Sequence, residues 1–394
     1  MAKTLVYQMY PLSYQNIGAM IRHLLLVSRL GVDYVWLSPL YLSPRHDHGY
    51  DVSSYRAIDP RFGTMRDFEE FVRIAHSYGI GVLMDLVLNH TSTEHSWFEN
   101  RPEYYCWSKA HKPGWKNLFN EGSCWQYNAK QGEYYLHLFQ ETQADLNWFP
   151  DGKNINKKLV KEFDQIVSYW EGFNIDGFRL DVPQAINKDL ESDTLDLQDM
   201  FFGYKSAEVI KTVFKNHSNL FLMMECFDPS FGGLTEYYDK NTQVDFILNM
   251  LVKKTAQEGL QELDKVIKAS VKNPRFMLDL ESHDSPRFPS VTGLTPKESI
   301  ELLFSSDAEG ICLYQGQELG MLNPTPLEMT TKQMLHMDAE MLMRFRNGED
   351  PEELRKYSRA NARAPMDDVD HVSEITDTGS LACYTKTWID KWRG

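Results

Sequence analysis

Eight short runs rich in β-branched and aromatic residues recur along the 394-residue chain, and most of the segments between them have helical periodicity. The runs are TLVYQMY from Thr4, DYVWLS from Asp33, IGVLMDLVL from Ile80, NIDGFRL from Asn174, LFLMMEC from Leu220, QVDFILN from Gln243, RFMLDLE from Arg275 and GICLYQG from Gly310. Helices are expected over Ile17 to Leu30, Met65 to Tyr78, Lys157 to Glu171, Tyr204 to Lys215, Thr255 to Ser270 and Pro296 to Ser306. Near-continuous apolar strands alternating with helices require a parallel sheet covered on both faces, and eight such units are the count of a closed (β/α)8 barrel. An open doubly wound sheet is the alternative. Against it, no G-x-G-x-x-G or G-x-x-x-x-G-K-[ST] loop follows an early strand.

One interval breaks the rhythm. About eighty residues separate the third run from the fourth, too many for a plain connection. They predict a small subdomain inserted at the carboxyl end of the third strand, in which GEYYLHLF alternates as a strand does. The expected division is a catalytic α/β TIM barrel over 1–90 and 151–360, an inserted subdomain over 91–150, and a short C-terminal tail over 361–394. In that tail SLACYTKTW reads as a lone strand; Glu340 to Phe345 or Pro351 to Tyr357 would supply the last covering helix.

Composition narrows the partners. No apolar run reaches the roughly 18 residues of a membrane helix. A net charge of −15 disfavours nucleic acid and anionic membranes, leaving small neutral substrates. The N-terminus lacks the apolar core of a signal peptide, and the five cysteines form no C-x-x-C pair, so a reducing cytoplasm is expected, without disulfides or structural zinc.

In such a barrel, chemistry is built on the carboxyl ends of the strands. There the chain places Asp85, Asn89 and His90; Arg179 and Asp181; Glu225; and His283 and Asp284. Gathering carboxylates is electrostatically costly and has no structural motive. Retaining glycoside hydrolysis has one, since it needs a carboxylate nucleophile and a carboxylic acid about 5 Å apart. Arg179 and Asp181, two apart on a strand, face the same way, so the cation is expected to keep Asp181 ionised as nucleophile. Glu225, beside Cys226 and Phe227, is expected to sit in apolar surroundings and hold its proton as acid/base.

DLVLNH, GFRLDV, MMECFD and ESHDSPR, in that order, resemble the four signature regions of the α-amylase superfamily of glycoside hydrolases. GVDYVWLSPLYLSP, HGYDVSSYRAIDPRFGTMRDF, NHTSTEHSWF, QADLNW, YQGQELGM and SRANARAPM are similar to the branch of oligo-1,6-glucosidases, dextran glucosidases and trehalose-6-phosphate hydrolases. The resemblance implies Asp181 as nucleophile, Glu225 as acid/base and Asp284 as third acid, with His90 and His283 bonding the sugar and Arg179 orienting the nucleophile. It also implies Tyr50 stacking on that sugar, and Asp51 and Arg287 closing the pocket around its terminal hydroxyls. Asp85 reads as a brace, and the HDH around Asp47 as solvated surface. The family's calcium loop reads SYQNIGAM here, without an acid, so neither metal nor cofactor is expected.

Val182 resembles the valine this branch carries where α-1,6 links are cleaved, which implies an α-glucosidase acting on isomalto-oligosaccharides. The alanine of QADLNW is closer to trehalose-6-phosphate hydrolases, whose phosphate Lys109, Lys112 and Lys116 would receive. A non-catalytic carbohydrate-binding relative is a third reading, opposed by the presence of all three acids.

Overall fold

The computed structural model describes residues 3–394 apart from 119–121, 197–199, 201–204, 227–243, 257, 274, 325–347, 351–353, 355, 357 and 367–371. All eight runs form strands: β1 Thr4–Met9, β2 Tyr34–Leu37, β3 Gly81–Val87, β4 Gly177–Asp181, β5 Phe221–Cys226, β6 Phe246–Asn249, β7 Phe276–Leu278 and β8 Gly310–Tyr314. They hydrogen-bond in the order β1, β8, β7, β6, β5, β4, β3, β2 and close into a barrel. Each is buried along nearly its whole length, which is why the sequence shows continuous apolar runs rather than alternation.

The longer helices among the described residues are α1 Ile17–Leu30, α2 Met65–Ser77, α3 Lys157–Glu171, α4 Lys205–Val213, α5 Leu260–Ser270, α6 Pro296–Phe304 and α7 Leu381–Arg393. Asn16 caps α1, accepting from Ala19 N, and Gly31 ends it in the left-handed region at φ 84°. The helix expected from Thr255 to Ser270 is instead broken: Leu251–Ala256 precedes α5, with Gly259 at φ 126° between them, a conformation no helix interior holds.

The chain divides into two compact units, Met1–Ser38 with Arg66–Leu83 and Phe246–Gly394, and Pro39–Met65 with Met84–Asp245. In the second, Trp107–Ser108, Glu133–Leu136 and Trp125–Asn128 make a three-stranded antiparallel sheet, confirming the strand read in GEYYLHLF. Gln143–Asp145 pairs antiparallel with His90–Ser92, setting Asp145 opposite His90. The sheet's core of Trp115, Cys124, Trp125 and Leu136 also takes in Ala185 and Met200, so this region is packed onto the segment that follows β4.

Strands β4 and β5 approach closely at Gly177. A Cβ there would lie 1.9 Å from the Phe221 carbonyl oxygen, so only glycine fits. The register set at this point aligns Arg179 with Met223 and Leu180 with Met224.

In the first unit the tail corrects the sequence reading: SLACYTKTW is the start of α7, not a strand. Its first residues alternate, but through Arg393 the buried positions Ala382, Thr385, Ile389 and Trp392 follow helical spacing. Ser380 caps the helix through Cys383 N at 3.1 Å. Trp392 packs on Phe304 and donates to the Ala308 carbonyl at 3.1 Å, and α7 lies against α6 and α1. Glu340 to Phe345 lies outside the described residues, as does Pro351 to Tyr357 apart from Leu354 and Lys356, both of which are helical. Among the described residues no helix is long and apolar enough to cross a membrane.

Candidate active site

Every residue of β4, GFRLD, is buried, so the alternation that puts Arg179 and Asp181 on one face also takes both charges out of water. Arg179 Nη1 donates to Asp181 Oδ1 at 2.6 Å and to Asp85 Oδ1 at 2.8 Å. Its Nη2 forms an ion pair with Glu225 Oε2. One guanidinium thus grips three carboxylates from three consecutive barrel strands, a task suited to its planar fork. Tyr50 lies on the same cluster, donating its hydroxyl to Asp85 Oδ2 at 3.0 Å.

Directly after Asp181 the chain turns sharply: Val182 sits in the left-handed region at φ 31°, ψ 50°, an outlier for a β-branched residue. The turn aims its amide at Glu225, whose Oε1 accepts from Val182 N at 3.1 Å. Glu225 therefore does not have the apolar surroundings expected for it; it meets a guanidinium and a backbone amide.

The expectation for Asp181 is corrected too. Burial, with Glu225 and Asp85 close by, raises it well above the ordinary carboxylate range despite Arg179. Asp85 is raised to about 6 for the same reasons: burial first, opposed by Arg179 and reinforced by Glu225. A single cation does not offset the burial and crowding at these two positions, so Asp85 and Asp181 bind protons more tightly than exposed aspartates do.

A second network surrounds His90. Its ring faces Gln143 Nε2 at 3.1 Å and Asn89 Nδ2 at 3.2 Å, and burial lowers it to about 4, leaving it neutral at physiological pH. Asp47, read as solvated surface, is buried here, and its Oδ2 accepts from Gln143 Nε2 at 3.0 Å. Asp51, read as a substrate contact, is fully buried. Its carboxylate accepts from Ser43 Oγ, His46 N and Asp47 N at 2.9, 2.8 and 3.1 Å, so it braces the turn that presents Asp47. Sequence reading also missed Lys188, whose buried ammonium pairs with Asp145 and donates to Asn89 Oδ1 at 2.8 Å. No local signal marks it, since Asp145 and Asn89 are distant in sequence.

The first unit holds the remaining candidates. His283 accepts at Nδ1 from Gln8 Nε2 at 2.7 Å, is stacked on Tyr10, and turns Nε2 to Asp284 Oδ2 at 2.9 Å. Arg363 Nη2 and Arg359 Nη1 approach Asp284 Oδ1 at 2.9 and 3.2 Å. Burial would raise Asp284, but His283, Arg363 and Arg359 outweigh it and hold the carboxyl well below its ordinary range. Arg359 and Arg363 lie in SRANARAPM; their spacing of four on a tight helical turn was the available signal. Arg287, expected to close the pocket, is instead fully buried. It donates to Glu281 Oε2 at 3.0 Å and the Gln315 carbonyl at 2.8 Å, with its guanidinium over Tyr314: a structural pillar. Among the described residues no group of three or more His, Cys, Asp or Glu side chains is arranged to hold a metal ion.

A closed parallel barrel whose fourth and fifth strands end in carboxylates gripped by one guanidinium defines the class: a barrel glycoside hydrolase. The model of the α-amylase catalytic domain matches residues 15–382, and the chain belongs to the α-amylase family. It is 31% identical to trehalose-6-phosphate hydrolase of Escherichia coli (strain K12) and 32% identical to oligo-1,6-glucosidase of Parageobacillus thermoglucosidasius, each alignment covering 92% of this chain and 74% of the relative. The crystal structure of Bacillus licheniformis trehalose-6-phosphate hydrolase superposes with a TM-score of 0.85 at 28% identity, over all of this chain and 83% of that one.

Proposed function

We propose that the protein is a retaining α-glucosidase that removes terminal α-1,6-linked glucose from isomalto-oligosaccharides or related short α-glucosides. In the first step Asp181 attacks the anomeric carbon and Glu225 gives its proton to the leaving oxygen, forming a glucosyl–Asp181 ester. In the second, Glu225 takes a proton from water, whose oxygen attacks the same carbon and releases Asp181. The observation that carries this reading is the shared guanidinium. Two carboxylates paired with the two Nη atoms of one guanidinium are held as neighbours, which supports the short separation of about 5–5.5 Å that retaining chemistry needs.

Asp284, held anionic, is proposed to accept hydrogen bonds from sugar hydroxyls rather than to move protons. His90 is proposed to bond the sugar, with Tyr50 flanking it, and His283 is proposed as a further sugar contact. Asp47 and Arg363 are also proposed as sugar contacts. Val182 shapes the space by the leaving group; its side chain packs on the core of the three-stranded sheet. We also retain the proposal that 91–150 acts as an inserted subdomain bordering that space.

Trehalose-6-phosphate hydrolysis is the second reading, favoured by the relatives of that name. Of the lysines considered for a phosphate, Lys112 donates to the carbonyls of Leu190 and Ser192, leaving Lys109 and Lys116 on the exposed surface. Release of nitrophenol from p-nitrophenyl α-glucoside, absent in Asp181→Asn, tests hydrolysis. A panel of isomaltose, maltose, sucrose and trehalose 6-phosphate tests the substrate, and preference for maltose over isomaltose refutes the Val182 argument. Initial release of α-glucose, followed by NMR, is expected; initial β-glucose refutes retention.

A further inference from the structure

A second cavity lies in the same compact unit as Asp181 and Glu225, and neither of those residues, nor Tyr50 or His90, lines it. It has a volume of about 300 Å³. Its lining includes Trp107, Asn147 and Trp148 from the inserted segment and Lys188, Asp189 and Glu191 from the segment that follows β4.

The chemistry of this lining is mixed in a specific way. Both indole N–H groups are already bonded, Trp107 Nε1 to the Pro102 carbonyl and Trp148 Nε1 to the Leu88 carbonyl, each at 2.7 Å. Trp148 is buried, so it is the partly exposed Trp107 that offers a ligand carbon surface. The Asn147 carboxamide and the Glu191 carboxylate have no hydrogen-bond partner among the described residues, while the Lys188 ammonium is held by Asp145 and Asn89. The lining carboxylates Asp189 and Glu191 repel an anion such as phosphate, and the lysines Lys112 and Lys188 repel a metal or organic cation. A purely apolar ligand would bury Asn147 and Glu191 unsatisfied.

We infer that this cavity is a second, non-catalytic binding site for a neutral sugar, one or two pyranose rings in size. A sugar offers hydroxyl donors to Asp189, Glu191 and Asn147 and hydroxyl acceptors to Asn147 and the lysines. Its C–H face suits the Trp107 surface, and the volume lies at the lower end of the range for small-molecule sites. The choice of an α-glucoside as that sugar rests on the glucosidase reading; the existence of the site does not.

The test is calorimetric titration of the inactive Asp181→Asn protein with isomaltose. Two molecules are expected to bind per chain. Adding Asn147→Ala and Glu191→Ala is expected to weaken one site at least tenfold and leave the other unchanged. The same pair of substitutions in the active chain is expected to leave kcat on p-nitrophenyl α-glucoside unchanged, with near-UV circular dichroism verifying the fold. Uptake of one isomaltose by both proteins overturns the inference, as does displacement of the second molecule by an equal concentration of inorganic phosphate. Failure of hydrolysis in the unsubstituted chain refutes the glucosidase reading instead, because the titration reads binding alone.

Discussion

Replacing Gly177 by alanine adds one methyl group at the tightest contact between β4 and β5, and its effect follows from the geometry. The new Cβ would stand 1.9 Å from the Phe221 carbonyl oxygen and 2.7 Å from its carbon, whereas real Cβ contacts stay beyond 3.0 Å, so the two backbones must part by about 1 Å. Neither is a flexible side chain that swings away. Overpacking of this kind destabilises by about 1–3 kcal/mol, and each weakened ladder hydrogen bond adds about 1 kcal/mol. A total of about 3–5 kcal/mol is therefore expected in urea unfolding followed by tryptophan fluorescence. Arg179 and Asp181 follow on β4 and Glu225 on β5, so the parting is passed directly to the three groups joined at the guanidinium. A displacement of about 1 Å costs about 100-fold in rate, and kcat/KM on p-nitrophenyl α-glucoside is expected to fall by that order even below the unfolding transition. A variant within about 1 kcal/mol of the parent and within about threefold in kcat/KM would refute the reasoning, showing that the spacing of β4 and β5 does not govern the site.

Other expectations concern charge and packing. Asp85 is raised in the fold from 3.8 to about 6, so the native state binds its proton more tightly than the unfolded chain; this contribution, about 3 kcal/mol, is present below pH 3.8 and lost as pH rises through about 6. Asp85→Asn is expected to flatten the stability profile across that window, measured by urea titrations at several pH values. Asp284 has the opposite sign: its contribution is present above its ordinary 3.8 and is lost on further acidification, so Asp284→Asn is expected to destabilise most at neutral pH. Arg287→Met leaves Glu281 buried and unpaired, and is expected to lower stability by about 3–5 kcal/mol, with KM unchanged in the surviving folded enzyme. Trp392→Ala removes the anchor of α7 and is expected to cost about 3–5 kcal/mol by thermal unfolding, with little change in kcat.

The eight strands and most helices were legible in the sequence because a buried parallel strand must be apolar throughout, and that demand is local. The acids were legible for the opposite reason: polar residues ending such runs have no packing role there. Less visible was how each charge is compensated. Asp51 and Arg287 look like substrate contacts as isolated residues, and only their surroundings, Ser43 with two backbone amides and Glu281 with Gln315, mark them as structural. Lys188 gave no signal, because its partners Asn89 and Asp145 are far away along the chain. The tail was misread because SLACYTKTW alternates over too short a window, and Trp392, the residue that fixes its period, lies beyond it.

By itself, then, the sequence determined the barrel, its strand order in the chain and the identity of the acids, since hydrophobic period and residue type are properties of neighbours. Tertiary structure decided their ionisation. Whether a carboxyl is raised like Asp181 or depressed like Asp284 depends on how many cations and acids are folded around it, one guanidinium for three acids in the first case and His283 with two guanidinium groups for one acid in the second. Coulomb energies depend on distance through space, which spacing along a chain does not encode.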